Sequence, residues 1–443
     1  MKTGAAFAVY AAGSYAVLQR INDVVPEPYM DEIFHVPQAQ RYCAGEFYEW
    51  DPKLTTPPGL YLASLVLRLC GLSCSVPNLR LVNWVLGLGL FWTIYRLVHR
   101  LHSSSTCAAA ATMMLATLPV PFFCNHLYYT DTASLLCVLL TYLLSLQQRH
   151  TAAAVVGGLS LWMRQTNVVW VALIGASAAL HLHAREIVSA RNALSLQQSV
   201  VQLSGWATRW SNWRKSAAVW APYAAVVALF GGFVMANGGI VLGDKQHHQA
   251  GLHLPQLFYF YAYTCVLSMP TVALALSRLA HSIRQRSKCA IVGCVAVVAI
   301  MAVCVKYFTV EHPFLLSDNR HYPFYIWKNL FRRHWTLRFL AIPFYLAAGH
   351  LVHASMRTYA SPLWQLMWAA CTAAVLVPSP LLEFRYFTVP FFLARLHMPL
   401  SSVRLIAIEF ALFVLINAVT IWVFLYRPFK WDSEPNSWQR FMW

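Results

Sequence analysis

Apolar stretches separated by short polar segments run along almost the whole chain. A helix needs about 20 apolar residues to cross the hydrocarbon core of a bilayer, and most of these stretches approach that length. The pattern predicts an all-α polytopic membrane protein, a bundle of about twelve transmembrane helices. The apolar stretches are residues 5–19, 59–74, 81–98, 106–124, 132–146, 152–180, 217–235, 256–277, 289–307, 338–352, 362–378 and 404–426.

Two of these stretches are not simple crossings. Residues 59–74 follow Pro57-Pro58-Gly59 and contain Arg68, so we expect a juxtamembrane or re-entrant helix that packs against the bundle. Residues 152–180 are long enough for two short passes, with a break at the polar run Arg164-Gln-Thr-Asn167.

Basic residues cluster in alternate loops, which orients the chain because Lys and Arg are enriched on the cytosolic side. The loop 181–216 interleaves Trp and Arg residues, which predicts a cytosolic amphipathic segment at the membrane interface. The basic C-terminal tail is expected in the cytosol, and with about twelve crossings the N-terminus is expected there as well. The loops 21–58, 236–255 and 308–328 are then expected on the opposite, lumenal side, which holds most of the acidic residues and histidines.

Composition agrees with a membrane protein. Of 443 residues, 58% are hydrophobic and 11% are charged, whereas a soluble domain carries about a quarter charged residues. The net charge of +17 is dispersed over loops, which favours lipid headgroups as partners and excludes a nucleic-acid-binding domain. Cys43, Cys74 and Cys124 could lie on the lumenal side, but the sequence gives no ground to predict a disulfide.

The first polar loop carries the most informative motif, Asp31-Glu32-Ile-Phe-His35. A carboxylate here could deprotonate a sugar hydroxyl. Two other interpretations remain open. Glu32 and His35 share a helical face and could contribute to a metal site, and Asp31 could simply cap a helix.

Three more polar segments are expected on the same side. The run Gly243-Asp-Lys-Gln-His-His248 offers a lysine and histidines for phosphate, or is a solvated loop. The run Ser317-Asp-Asn-Arg-His-Tyr322 precedes an aromatic cluster, where Arg320 could bind phosphate or pair with Asp318 or Glu311. Arg385 lies near the end of another apolar stretch. Because a charge within or beside a membrane span is energetically costly, we expect Arg385 to have a functional role.

Together these motifs resemble one family, the dolichyl-phosphate-glucose α-1,2-glucosyltransferases of N-glycan assembly. The resemblance runs from about residue 20 to the C-terminus. It departs at Gln246, where a small polar residue is expected, at the extra His247, and in a shorter cytosolic loop. The motifs that carry it are Met30-Asp-Glu-Ile-Phe-His-Val-Pro-Gln-Ala-Gln40, Trp50-Asp-Pro-Lys-Leu-Thr-Thr-Pro-Pro-Gly59, Tyr129-Thr-Asp131, Arg164-Gln-Thr-Asn167, Gly243-Asp-Lys245, Asp318-Asn-Arg-His-Tyr322, Glu383-Phe-Arg-Tyr386 and Arg427-Pro-Phe-Lys-Trp431 with Gln439-Arg-Phe-Met-Trp443.

The resemblance implies a C-type glycosyltransferase fold over a single domain, residues 1–443, with 20–58 as a lumenal catalytic loop. It also implies residence in the endoplasmic reticulum membrane, a dolichyl-phosphate-glucose donor and a diglucosylated dolichyl-diphosphate oligosaccharide acceptor. Inverting transfer then needs a base and positive charge at the leaving phosphate, and no metal or other cofactor is expected. The alternatives are a dolichyl-phosphate-mannose-dependent mannosyltransferase and a non-enzymatic transporter or channel-associated membrane protein.

The resemblance and the motifs together define the expected site. The base is expected to be Asp31, with Glu32 as the alternative. The phosphate-binding residues are expected to be Lys245, His248, His253, Arg320, His321 and Arg385. Further substrate-site candidates are His35, Asp51, Lys53, Asp131, Arg164, Gln165, Asn167, Asp244, Asp318, Tyr322 and Glu383.

Overall fold

The computed structural model is mostly helical, as the hydrophobic pattern predicts, with 73% of its residues in helices. It describes residues 3–102, 105–187, 210–243, 250–276 and 288–443. The only strands in these residues form one hairpin near the C-terminus, β1 (Phe429–Trp431) and β2 (Glu434–Gln439), which pair antiparallel.

The helices are numbered in chain order. Those of the first half are α1 (Thr3–Val24), α2 (Glu32–Ala44), α3 (Gly59–Ser64), α4 (Val66–Leu69), α5 (Val76–His102), α6 (Ser105–Ala116), α7 (Pro119–Cys124), α8 (Thr130–Leu146), α9 (His150–Leu161), α10 (Asn167–Ile187) and α11 (Trp210–Asn237). Those of the second half are α12 (Gln256–Leu267), α13 (Met269–Val272), α14 (Lys288–Tyr307), α15 (Pro313–Ser317), α16 (Tyr322–Ile326), α17 (Thr336–Leu340), α18 (Ile342–Met356), α19 (Pro362–Leu376), α20 (Thr388–Leu396) and α21 (Val403–Tyr426), with short 3₁₀ turns at Ala273–Ala275 and Phe384–Phe387 and a π turn at Trp327–Phe331.

Several of these helices can cross a bilayer. Among the described residues, four helical stretches are long and apolar enough: α5, Ser216–Asn237, Thr336–Met356 and α21. A fifth candidate joins α12 to Met269–Ala275 and is bent by 87°. In the same part of the chain, seven other apolar helices have 10–17 residues. A helical membrane protein is therefore supported, whereas the prediction of about twelve crossings is not confirmed.

Exposed apolar side chains along the helices agree with contact to lipid. In α14, the exposed fractions of Val292, Val295 and Ile300 are 68%, 64% and 62%. Contiguous apolar surface of this kind is unfavourable in water and is stable against hydrocarbon tails.

The described chain divides into two compact units. The first contains residues 1–100, 124–248 and 361–371, and the second contains 101–123, 249–360 and 372–443. In the first unit, α8, α9, α10 and α11 pack on one another. In the second unit, α12 packs on α18, and α21 packs on α6.

The two irregular apolar stretches are both interrupted. The 59–74 stretch forms only α3 and α4, which together are too short to cross a bilayer. The 152–180 stretch breaks between α9 and α10 at the predicted polar run. The two ends of the expected cytosolic loop 181–216 are helical, because α10 extends to residue 187 and α11 begins at residue 210. The remainder, 188–209, lies outside the described residues.

Cys43 and Cys74 form a disulfide, which the sequence did not predict. α2 ends one residue after Cys43, where Gly45 takes the left-handed conformation with φ of 92° that favours glycine. Cys74 lies two residues before α5. The bond spans 31 residues and brings together the end of α2 and the start of α5. A disulfide agrees with an oxidising, non-cytosolic compartment for this loop.

The two ends of α5 hold arginines in different surroundings. Near its N-terminal end lies the buried Arg80, and near its C-terminal end Arg96, Arg100 and Arg149 line a common open pocket. At 1.5 Å per residue, Arg80 and Arg96 are separated by about 24 Å along the helix. The basic pocket therefore lies at the end of α5 opposite the acidic loop, as the orientation rule predicts.

The C-terminal tail corrects the predicted topology. The amide of Met442 donates to the carbonyl of Arg320 at 2.7 Å, and the indole of Trp431 donates to Asn319 at 2.8 Å. Hydrogen-bonded residues cannot lie on opposite faces of a bilayer about 30 Å thick. The prediction that the tail lies across the membrane from the loop 308–328 is therefore wrong.

The prediction rested on the basic residues of the tail. These residues stabilise local structure, and they do not report on which side of the membrane the tail lies. Arg440 donates to the carbonyls of Phe424 and Leu425 at the C-terminal end of α21, at 2.8 and 2.9 Å. Arg427 lies 5.0 Å from the ring centroid of Trp422. Cations at a helix C-terminus and over aromatic rings are favourable on either side of a membrane.

Candidate functional site

The two carboxylates of the first loop occupy different environments. Asp31 stands at the N-cap position of α2, but its side chain makes no capping hydrogen bond. Glu32, the next residue, is turned by about 100° around the helix axis. Asp31 is partly exposed, whereas Glu32 has an exposed fraction of 0%. Helix capping is therefore not the role of the Asp31 side chain.

Glu32 forms a buried ion pair with Arg80. The guanidinium binds both carboxylate oxygens, with Nη2–Oε2 at 2.6 Å and Nε–Oε1 at 2.8 Å, and both side chains are 0% exposed. The backbone amides of Tyr128 and Tyr29 donate to the same two oxygens at 2.7 and 3.1 Å. Each oxygen of Glu32 thus accepts two hydrogen bonds, so this carboxylate is committed to the structure.

Arg80 also binds the segment that leads to the acidic pair. Its guanidinium donates to the carbonyls of Val25 at 2.7 Å and Glu27 at 3.1 Å, and to the side chain of Asn22 at 3.1 Å. The buried guanidinium of Arg80 therefore binds the end of α1, the loop that connects α1 to α2, and the start of α2.

The 127–129 segment contacts the acidic pair from another side. The hydroxyl of Tyr129 accepts a hydrogen bond from the amide of Asp31 at 3.2 Å. Asn83 donates to the carbonyls of Leu127 and Tyr129 at 2.6 and 2.8 Å. We call Asp31, Glu32, Arg80, Asn83, Tyr128 and Tyr129 the acidic-loop cluster.

The rest of the 20–58 loop packs beside this cluster. His35 shares a hydrogen bond of 2.7 Å between its Nδ1 and the hydroxyl of Tyr61. The amide of Asp51 donates to Gln38 at 3.0 Å, and the ammonium of Lys53 lies 5.6 Å from the ring centroid of Phe34.

The metal interpretation of Glu32 and His35 finds no support in this geometry, because Glu32 is occupied by Arg80 and backbone amides. The described part of the chain contains no group of three or more His, Cys, Asp or Glu residues that could hold a metal ion.

The predicted candidates at the α8 and α10 starts lie next to the same loop. Arg164 binds Asp131 at 2.9 Å, with side-chain exposures of 20% and 7%. Gln165 donates to the carbonyl of Thr55 at 2.7 Å, and Asn167 donates to Ser134 at 2.8 Å. The polar break between α9 and α10 therefore anchors the loop that continues from the acidic pair.

Gly243 connects the next predicted motif to this region. A side chain at this position would collide with the backbone carbonyls of Pro52 and Leu54. The amide of Leu242 also donates to the carbonyl of Thr55 at 3.4 Å. The start of the 236–255 loop thus packs on the first loop, as a shared side requires. Asp244, Lys245 and His248 lie outside the described residues.

In the second unit, the Asp318–Tyr322 motif packs against the tail. Arg320 binds Asp318 through two bonds of 2.8 Å, donates to Gln439 at 2.8 Å and lies 4.6 Å from the ring centroid of Trp431. His321 lies 2.7 Å from the carbonyl oxygen of Trp443. We call Asp318, Arg320, His321, Trp431, Gln439 and Trp443 the tail cluster.

The carboxylate of Asp318 is stabilised in its ionised form by the basic side chains of the tail cluster. Burial raises the pKa of Asp318, but hydrogen bonds from His321 and Arg320 outweigh that effect and hold the pKa well below its usual value. Tyr322 shares a hydrogen bond of 2.7 Å with Thr420 and packs on the ring of Trp443. The motif therefore ties α16 to α21 and to the end of the chain.

Two other predicted phosphate contacts also lie in the second unit. Arg385 binds Glu383 at 2.8 Å, and both side chains are partly exposed. His253 is fully buried and shares a hydrogen bond of 3.2 Å with the carbonyl of Pro380. Burial lowers the pKa of His253 to about 4, so near neutral pH the imidazole supplies no charge, and its one N–H is donated to the Pro380 carbonyl.

Sequence reasoning missed Arg80 and Asn83, the two residues that organise the acidic-loop cluster. The available signal was a charge beside a long apolar stretch, since such a charge needs a buried partner. It also missed the buried group Arg395, Glu409 and Thr271, in which Arg395 binds Glu409 at 2.7 Å and Thr271 at 3.0 Å. That pairing joins α20, α21 and α13 across more than 120 residues of sequence.

Comparison with known proteins gives a consistent result. A family model described as the DIE2/ALG10 family matches residues 25–396. Curated relatives from mouse, human and Arabidopsis thaliana are 38%, 36% and 34% identical, over 94%, 94% and 96% of this chain and 93%, 93% and 96% of their own. All three are named Dol-P-Glc:Glc(2)Man(9)GlcNAc(2)-PP-Dol alpha-1,2-glucosyltransferase. No solved structure matches.

Proposed function

Because this chain belongs to the DIE2/ALG10 family, we propose that it transfers the terminal α-1,2-linked glucose in the assembly of the lipid-linked oligosaccharide. The donor is dolichyl-phosphate-glucose, and the acceptor is the diglucosylated oligosaccharide on dolichyl diphosphate. The observation that carries the proposal is the similarity of nearly the whole chain to relatives that are named for this activity. A mannosyltransferase and a transporter are not favoured by these comparisons.

We assign the base to Asp31. Its carboxylate takes the proton of the acceptor hydroxyl, whose oxygen then forms a bond to C1 of glucose as the bond from C1 to the phosphate breaks. One displacement converts a β-linked donor into an α-linked product. The assignment is supported by the partial exposure of Asp31 and by the four hydrogen bonds that occupy Glu32.

The departing dolichyl phosphate needs positive charge or hydrogen-bond donors around its oxygens. We assign this role to the basic residues Lys245, His248, Arg320, His321 and Arg385. His253 is left out of this role, because its buried, neutral ring already donates its N–H to the Pro380 carbonyl. Arginines suit phosphate because their planar guanidinium can bind two oxygens at once. The ion pair with Glu383 supports this role for Arg385, because it orients a guanidinium that remains partly exposed.

We place the enzyme in the endoplasmic reticulum membrane with the acidic-loop cluster on the lumenal side. The Cys43–Cys74 disulfide supports this side, because disulfides persist in the oxidising lumen and not in the cytosol. Both substrates carry polyprenyl tails, so their phosphates lie at headgroup level, within reach of loops that adjoin transmembrane helices.

Purified protein with defined lipid-linked substrates tests the activity. Dolichyl-phosphate-glucose and dolichyl-phosphate-mannose are offered separately with the diglucosylated acceptor and with the acceptor that already carries three glucoses. Transfer from the glucose donor to the diglucosylated acceptor alone is the expected result. Preference for the mannose donor, or equal transfer to both acceptors, would reject the proposed specificity.

A further inference from the structure

Arg80 and Asn83 lie one turn apart near the N-terminal end of α5, so they share a helical face. Both are completely buried. Buried polar and charged side chains are costly unless they are hydrogen-bonded. Their hydrogen bonds go to the chain around Asp31 and to the segment that contacts it, which links this face of α5 to the base of the proposed reaction.

Arg80 binds the chain on both sides of Asp31. Before Asp31, it holds the carbonyls of Val25 and Glu27. Immediately after Asp31, it holds the carboxylate of Glu32. A lysine could not reproduce this arrangement, since only the guanidinium offers a planar set of five N–H donors.

Asn83 fixes the opposing segment. Its amide binds the carbonyls of Leu127 and Tyr129. In turn, the hydroxyl of Tyr129 accepts a hydrogen bond from the amide of Asp31, and the amide of Tyr128 donates a hydrogen bond to the carboxylate of Glu32. Asp31 therefore lies where two segments meet, and both are attached to one face of α5.

The backbone next to Asp31 requires such support. Met30 has φ of 56°, in the left-handed region that non-glycine residues seldom occupy. A conformation of this kind persists only when the surrounding contacts enforce it, and it is common at functional sites. The contacts that flank Met30 include those of Arg80 and Glu32.

We propose that Arg80 and Asn83 are positioning residues that hold Asp31 in its reactive place. Arg80 acts through Glu32 and the carbonyls of Val25 and Glu27, and Asn83 acts through the 127–129 segment, whose Tyr129 hydroxyl binds the Asp31 amide. The inference rests on the proposed glucosyl transfer and on Asp31 as its base. Arg80 itself is completely buried and acts through the chain that it binds. Because a displacement of about 1 Å at a catalytic group can cost about a hundredfold in rate, loss of these contacts should lower kcat and leave the donor KM unchanged.

The experiment compares three variants of the full-length protein with wild type. Arg80→Lys keeps the charge and loses the fork. Arg80→Met with Glu32→Met removes both buried charges, so that neither is left unpaired. Arg68→Lys is the matched control, because Arg68 is an exposed arginine of α4 in the same unit. Each is assayed for kcat, donor KM, thermal midpoint and hydrogen exchange of the backbone amides from Tyr29 to Phe34.

Arg80→Lys should lower kcat by about tenfold to a hundredfold, change the donor KM by less than about threefold, and speed amide exchange around Asp31. The double variant should regain part of the thermal midpoint, because no buried charge is left unpaired although several backbone groups lose their partners, and it should not regain kcat. Full recovery of kcat in the double variant would overturn the proposal, because the pair would then only avoid an unpaired charge. Unchanged kcat in Arg80→Lys would overturn it as well.

A second variant keeps the test decisive if the Arg80 variants do not fold. Tyr129→Phe removes only the hydroxyl that accepts the Asp31 amide, and it should lower kcat with an unchanged donor KM; wild-type kcat in this variant would overturn the proposal. The exchange measurement needs no catalysis. If wild type transfers no glucose, the proposed function fails, while faster exchange in Arg80→Lys still supports the positioning contacts.

Discussion

Replacing each carboxylate by the matching amide, Asp31→Asn and Glu32→Gln, distinguishes the roles of the two residues. Asp31→Asn keeps the shape of the side chain and removes its basicity. General-base catalysis contributes about 10² to 10⁴ in rate, which corresponds to about 2.7–5.4 kcal/mol at 1.36 kcal/mol for each factor of ten. Folding should be retained, because the hydrogen bond from the backbone amide of Asp31 to Tyr129 is left in place by the substitution.

Glu32→Gln, unlike Asp31→Asn, should lower the stability of the fold. Arg80 and Glu32 are both 0% exposed, so the substitution leaves a buried guanidinium without its counter-charge. Breaking one partner of a buried pair costs about 3–5 kcal/mol, a large part of the stability of an ordinary domain. We therefore expect a lower thermal midpoint and poor recovery of folded protein.

The assay measures initial rates of glucose transfer at saturating donor and thermal unfolding of the same purified preparations. Asp31→Asn should unfold like wild type and lose at least a hundredfold in rate, whereas Glu32→Gln should unfold at a lower temperature. Asp31→Asn with more than a tenth of wild-type turnover would refute the assignment. A folded Glu32→Gln with the larger loss of rate would move the base to Glu32.

Four further predictions concern charge, the disulfide and topology. Transfer should persist in EDTA, because basic side chains supply the positive charge at the leaving phosphate; loss with EDTA and recovery with magnesium or manganese would contradict this. Arg320→Lys should raise the donor KM or lower turnover well beyond tenfold, as expected for a phosphate contact; an equal loss in Asp318→Asn, with unchanged donor binding in both, would show that the pair only shapes the loop. Thiol labelling of the denatured, unreduced protein should leave Cys43 and Cys74 unmodified, and free thiols at these positions would reject the disulfide. A membrane-impermeant thiol reagent should reach Ser437→Cys and Ser317→Cys from the same side of the membrane, and labelling from opposite sides would reject the contact between the tail and the 308–328 loop.

Much of the helical architecture could be predicted from the order of apolar and polar residues. The break between α9 and α10, the short helices after Gly59 and the long spans α5 and α21 follow from local hydrophobicity and from Pro, Gly and charged residues within a few positions. The acidic motif at Asp31 could also be recognised, because carboxylates are rare in a chain that is 11% charged.

What the tertiary structure decided are the pairings between distant segments. Arg80 binds Glu32 over 48 residues, Cys43 reaches Cys74 over 31, and Gln439 receives Arg320 over 119. Hydrophobic periodicity reports which residues prefer lipid or a core, but it carries no information about which polar partners meet in three dimensions. The distinction between Asp31 and Glu32 is of this kind, because two adjacent carboxylates look alike along the chain and differ only once one of them meets a buried arginine.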